Sequence, residues 1–152
     1  MASHYQGSSA EVTALNVFIS LFRAADTIDR LLQQQLKGDN LTGPQFGVLE
    51  TLYHLGPMEQ HLLAEKLLVS RGNITFIVDN LEQMRLIVRS VGSKDRRCNQ
   101  VILTDAGREK IAAIFPQKAA FIAGIMAVLD QGEQEQLASL LKKLGKQIHK
   151  SE

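Results

Sequence analysis

A mainly α-helical fold with one small β-hairpin is predicted by three observations. Apolar residues recur three and four positions apart over most of the chain, which is the spacing of one helix face. Two short runs, Leu86 to Val91 and Gln100 to Leu103, are instead rich in β-branched and aliphatic residues. Between them lies a polar tip, "GSKDRRCN" from Gly92 to Asn99, so the runs read as the arms of a hairpin. With 152 residues, 45% hydrophobic and 22% charged, the chain suits a single domain, 1–152, with an ordinary core.

The first helix is predicted over Glu11 to Lys37, where Leu15, Phe18, Ile19, Phe22, Ala25, Ile28, Leu31, Leu32 and Leu36 form one stripe. "KGDN" ends it, with Gly38 suited to a C-terminal cap. Thr42 and Gln45 then form a capping box, and Pro44 stands in the first turn, where its missing N–H costs nothing. The second helix turns Phe46, Leu49, Leu52 and Tyr53 inward and stops at Gly56 and Pro57. A compact pair follows, Glu59 to Leu67 and Arg71 to Met84, joined by a tight turn at "LVS". Ser70 is the natural N-cap of the second member, whose inward stripe is Ile74, Ile77, Val78 and Leu81. After the hairpin, Thr104 caps a helix through Ile111, Ile114 and Phe115, which Pro116 is expected to kink or break. Apolar residues resume at Phe121, Ile122, Ile125, Met126 and Leu129. Asp130 with Glu133 opens a last helix carrying Leu137, Leu140, Leu141, Leu144 and Ile148.

Net charge is only +1, yet its distribution is uneven. Residues 1–58 carry three cations and five anions, whereas residues 85–110 carry seven cations against three anions, a local excess of +4 around the hairpin. An eight-residue tip is longer than hairpin loops usually are, and such excursions are more often functional than idle. The single cysteine, Cys98, excludes an intramolecular disulfide and a thiolate-rich metal cluster. The longest apolar run, Ala119 to Leu129, has eleven residues, short of the roughly 18 a membrane span needs. No basic segment followed by an apolar stretch marks a secretory signal. Together these features predict a cytoplasmic protein in a reducing compartment, with no membrane partner.

Two short helices, a tight turn and a hairpin in immediate succession are the order of a winged helix-turn-helix, in which the second helix enters the major groove and the hairpin lies over the backbone. The long amphipathic segments at 11–37 and 110–149 exceed what such a lobe can cover. Their stripes need a partner, and a two-fold homodimer is the simplest source of one.

The order of elements resembles the MarR (multiple antibiotic resistance regulator) family of bacterial transcription regulators. The resemblance rests on "LTGPQFGVLETL" from Leu41, "LLAEKLLVSRGNITFIVDNLE" from Leu62, "LIVRS" from Leu86, "DRR" from Asp95 and "VILTDAGRE" from Val101. It implies a homodimer whose terminal helices form the interface and whose two lobes, each 41–109, read a pseudo-palindromic operator in double-stranded DNA. By position it assigns Ser70, Arg71, Asn73 and Thr75 to the start of the recognition helix, where free N–H groups favour phosphate and Arg and Asn suit base edges. It places the family's wing motif on Asp95 and Arg97, the aspartate orienting an arginine that enters the minor groove. Arg96 or Arg97 is the inserted residue, with Lys94 on phosphate. Glu59 departs from the family pattern of Thr or Ser at the start of the preceding helix, and its carboxylate would repel a nearby phosphate.

No phosphate loop, nucleophile motif or paired-carboxylate signal is visible, so neither an enzyme nor a bound cofactor is expected. His4, His54, His61 and His149 share no ligand-like spacing, and no metal site is expected. The resemblance implies response to a small aromatic or anionic effector in a cleft beside the dimer helices, where Arg23, Phe46 and Tyr53 offer a cation and two rings. Two roles stay open for Cys98, a quiet strand residue or a thiol whose oxidation releases the wing. The family's peroxide sensors place their cysteine near the N-terminus, where this chain has none. The expected function is therefore a homodimeric DNA-binding regulator, a repressor relieved by an effector; the alternative is a winged-helix dimer that binds only a protein or a small molecule.

Overall fold

The computed structural model describes residues 5–90 and 100–149, with 146–149 as backbone only. Helix α1 runs from Ser9 to Leu36, opened by a capping box in which Ser8 and Glu11 bond each other's backbone N–H. The Ser8 N–H and hydroxyl both donate to the Glu11 carboxylate, at 2.8 Å each, and hold that carboxyl below its ordinary pKa. A 3₁₀ turn, Lys37–Asp39, follows. The left-handed residue that reverses the chain is Asn40 (φ 54°), not Gly38, which the 3₁₀ turn absorbs. Asparagine tolerates that conformation better than other residues with a Cβ.

Helix α2 spans Gly43–Leu55, with the expected Thr42–Gln45 capping box and Gly56 at its end (φ 81°). Helices α3, Gln60–Leu67, and α4, Arg71–Gln83, form the tight pair. Their turn is made by Leu68 in a left-handed conformation (φ 52°), with Val69 N–H bonded to the Ala64 carbonyl at 3.0 Å.

Three strands make one antiparallel sheet of order β1-β3-β2: β1 Met58–Glu59, β2 Ile87–Arg89 and β3 Gln100–Leu103. The hairpin is the predicted one, and Ser90 N–H to Gln100 carbonyl (2.9 Å) closes its base. The two-residue β1, paired Met58 to Val101 and Glu59 to Gln100, was not expected. It extends the hairpin onto the segment that enters α3.

Helix α5 runs unbroken from Asp105 to Met126, with Pro116 inside it. The expected break does not occur, because one lost hydrogen bond is offset by packing on the preceding turn. Ile111 is buried there, and Ile114 and Phe115 lean on the core. Helix α6 spans Gln131–His149, opened by Asp130 and Glu133, which bond each other's N–H at 2.9 Å.

The core is built from α2, α3, α4 and the sheet, around Leu49, Leu52, Leu63, Ile74, Leu81, Ile87 and Val101. No single helix among the described residues is long and apolar enough to cross a membrane. Lys118 is 5% exposed; its Nζ donates to the Gln35 carbonyl at 2.8 Å and lies 2.7 Å from Asp39 Oδ2. The contact with Asp39 is off the line of a hydrogen bond, so that oxygen is held by charge alone. This pins α5 to the end of α1.

At Gly107 the chain leaves no room for a side chain, since an added Cβ would fall 1.9 Å from the Leu86 carbonyl oxygen. Backbone cannot yield as a side-chain tip does. Gly107→Ala is expected to cost about 2 to 3 kcal/mol of folding free energy, measured by urea unfolding; an unchanged midpoint would mean the junction is loose.

Candidate nucleic-acid interface

The start of α4 is fixed locally. Ser70 is extended (φ −64°, ψ 154°), and its Oγ accepts from Asn73 N–H at 3.3 Å. The cap satisfies one first-turn donor; helix geometry leaves others of that turn without intrahelical acceptors, which favours an anion there. Arg71 and Asn73 are exposed beside it. The predicted residues Ser70, Arg71, Asn73 and Thr75 thus share one end of one helix. Thr75 is exposed, but its hydroxyl is engaged, accepting from Gln60 Nε2 at 2.8 Å and donating to the Arg71 carbonyl at 3.0 Å.

The stripe Ile74, Ile77, Val78 and Leu81 is buried, which orients the opposite face outward. That outer face carries Gly72, Phe76, Asp79 and Gln83, all exposed.

The hairpin is clamped to α4 by a residue that sequence reasoning overlooked. Arg89 bonds the Asp79 and Glu82 carboxylates through its two terminal nitrogens, each at 2.5 Å, and reaches Gln60 Oε1 at 3.2 Å. Its backbone N–H also donates to Glu82 Oε1 at 3.1 Å. Partial burial lowers the guanidinium's pKa, but the bonds and charges of Asp79 and Glu82 outweigh this and leave it above the ordinary arginine value. Gln60 in turn holds Thr75, so wing base, α3 and α4 form one network. Two signals foreshadowed it: strand alternation puts Arg89 on the side of Ile87, and carboxylates three apart on a helix share a face.

Lys94, Asp95, Arg96, Arg97 and Cys98, together with His4, lie outside the described residues. His61 Nδ1 lies 3.2 Å from Glu59, and His149 is described as backbone only. Among the effector candidates, Arg23 is exposed on α1, whereas Phe46 is buried and stacks on Phe115 with ring centroids 6.2 Å apart. Tyr53 is half-buried and meets His54 edge-on at 5.1 Å, and His54 meets Phe115 at 4.7 Å. Phe46 and Tyr53 therefore border one aromatic cluster on α2 and α5.

A capped recognition helix with a hairpin locked beside it defines a winged helix-turn-helix DNA-binding regulator. The MarR family model matches residues 41–99. The HTH-type transcriptional regulator MhqR of Bacillus subtilis is 35% identical over 90% of this chain and 96% of its own length. The chain belongs to the MarR family. Among solved structures, the S. aureus MepR–DNA complex aligns with a TM-score of 0.74 at 24% identity, covering 86% of this chain and 97% of that one. BpsR of Bordetella bronchiseptica, described with regulation of its DNA binding by 6-hydroxynicotinic acid, aligns at 0.75 and 24% identity, covering 84% and 97%.

Arg89→Met should lower stability by about 1 kcal/mol in urea unfolding, a modest loss because its partners are well solvated. Arg89→Lys should fall between, since an ammonium cannot reach both carboxylates and Gln60 in the same fork geometry. Combining Arg89→Met with Glu82→Gln should cost less than the sum of the two, and strict additivity would refute the network.

Proposed function

We infer that this chain is a homodimeric, sequence-specific repressor whose operator binding is relieved by a small aromatic or anionic effector. The observation that carries this reading is the exposed, Ser70-capped start of α4 with the hairpin clamped beside it through Arg89. Arg71 and Asn73 hydrogen-bond base edges, Ser70 caps the helix that presents them, and Thr75 braces Arg71 and Gln60 behind the reading face. In the wing, Asp95 orients Arg97 or Arg96 into the minor groove, and Lys94 neutralises a phosphate.

Dimerisation is supported by the stripes that the lobe leaves uncovered. Phe18 and Phe22 on α1 are 62% and 65% exposed, and Leu137, Leu140, Leu141 and Leu144 on α6 are exposed as well. A second copy buries both stripes at once and sets two recognition helices on a pseudo-palindromic operator. The effector reading rests on the aromatic cluster of Phe46, Tyr53, His54 and Phe115, with Arg23 on the helix alongside as counter-ion for an aromatic acid. BpsR's regulation by 6-hydroxynicotinic acid is a parallel in a protein of the same fold. Cys98 would act, if oxidised, by disturbing the wing contact.

Light scattering at micromolar concentration should give twice the 16.8 kDa chain mass, and a monomer would remove the basis for the dimer. In mobility-shift assays on DNA flanking its own gene, Arg97→Ala should weaken specific binding by more than about 1 kcal/mol, and Lys94→Ala should reduce the salt slope by about one unit. Equal affinity of wild type and Arg97→Ala would sink the wing assignment. Absence of any specific complex at low salt would favour a winged-helix dimer that binds only a protein or a small molecule.

A further inference from the structure

We propose that Phe76 is a specificity-determining residue whose ring packs against the C5-methyl group of a thymine in the major groove. The proposal rests on α4 being the recognition helix, and it adds an apolar reading element to the hydrogen-bonding ones.

Phe76 is 67% exposed although it sits mid-helix beside a complete core. Its own helix buries Ile74, Ile77, Val78 and Leu81, all pointing to the other side, so the ring is surplus to the core. A phenylalanine so placed leaves most of its apolar area in water, a cost that a contact outside the chain would recover. The uncovered stripes of α1 and α6 belong to other helices, so the copy that covers them is not required to cover Phe76.

The surroundings fit the floor of a groove. Gly72 lies one turn earlier on the same face, and an added Cβ there would find nothing within 4 Å. The space beside the ring is therefore open to a base pair. Asn73, three residues before Phe76, supplies an amide on the adjoining edge of the helix. Asp79, three residues after it, would repel phosphate, and Arg89, shared between Asp79 and Glu82, offsets part of that charge. The face thus combines an apolar ring and a hydrogen-bonding amide with a carboxylate that Arg89 holds back against the base of the hairpin. Thymine is the base whose major-groove edge carries a methyl group, and phenylalanine is among the side chains that contact it.

The test uses the full-length protein and a duplex enriched from a random-sequence pool by binding to it. Each thymine of one half-site is replaced in turn by uracil, which lacks only the methyl group, and affinity is measured by fluorescence anisotropy at fixed salt. Wild type should lose about fourfold at one position, the value of one buried methyl. Phe76→Ala should bind the thymine and uracil duplexes equally, with an unchanged circular dichroism spectrum, and Phe76→Leu should keep part of the discrimination. Specific binding that tolerates uracil everywhere would overturn the proposal and leave the regulator reading intact. A uracil penalty that persists undiminished in Phe76→Ala would assign the methyl to another residue and also overturn it. Failure of the pool to enrich any sequence would remove the sequence-specific reading itself, and Phe76 with it.

Discussion

The geometry of this fold depends on one crowded junction, where the chain leaves α4 and where it enters α5. Thr104 donates its hydroxyl to the Arg85 carbonyl at 2.8 Å and its N–H to the Leu86 carbonyl at 3.1 Å. The same hydroxyl accepts from Gly107 N–H at 3.0 Å, so a single side chain caps α5 and ties it to the end of α4. Arg85 must turn left-handed (φ 59°) to present those carbonyls, a conformation costing a residue with a Cβ about 1 to 2 kcal/mol. Gly107 must lack a side chain so that α5 can come this close. Recognition helix, hairpin and α5 therefore leave one point at fixed angles.

From that junction α5 carries the geometry outward. Its first turns lie on the lobe through Ile111, Ile114 and Phe115, and Phe115 stacks on Phe46 of α2. Two residues beyond Pro116, the buried Lys118 seizes the end of α1 through the Gln35 carbonyl and Asp39. A buried lysine is costly unless paired and hydrogen-bonded, and here it is both. Any shift of α1 relative to the lobe must strain this contact or the aromatic stack. The continuity of α5 through its proline is thus what mechanically joins the apolar outer stripes to the recognition helix.

Much of this was legible in the sequence because it is local. The caps at Thr42, Ser70, Thr104 and Asp130 each need a side chain and a backbone N–H only a few residues away, and all were readable. The buried stripe of α4 follows from a 3.6-residue period. What escaped is non-local or too short to have a period. The two-residue β1 exists because Met58 pairs with Val101, far along the chain. The fork of Arg89 joins residues 60, 79, 82 and 89, and no spacing rule links all four. Propensity also misled where Asn40 rather than Gly38 takes the left-handed position, and of the two outcomes expected at Pro116, a kink or a break, the continuous α5 excludes the break. Of the candidate site, the capped helix start was visible, whereas its outer face emerged only once the core face was known.

The network changes how the chain's charge bears on DNA. The local excess of +4 in residues 85–110 includes Arg89, which is already committed to two carboxylates of α4 outside that segment. Counted with its partners, Arg89 offsets one of the two negative charges they place on α4 instead of adding a cation to the wing. Arg108 and Lys110 lie on α5, beyond the hairpin. The positive excess beside α4 is therefore smaller than the sequence count suggests. One guanidinium offsets one of the two carboxylates, so the attraction of this lobe for a phosphate backbone has to come from cations outside the Arg89 network.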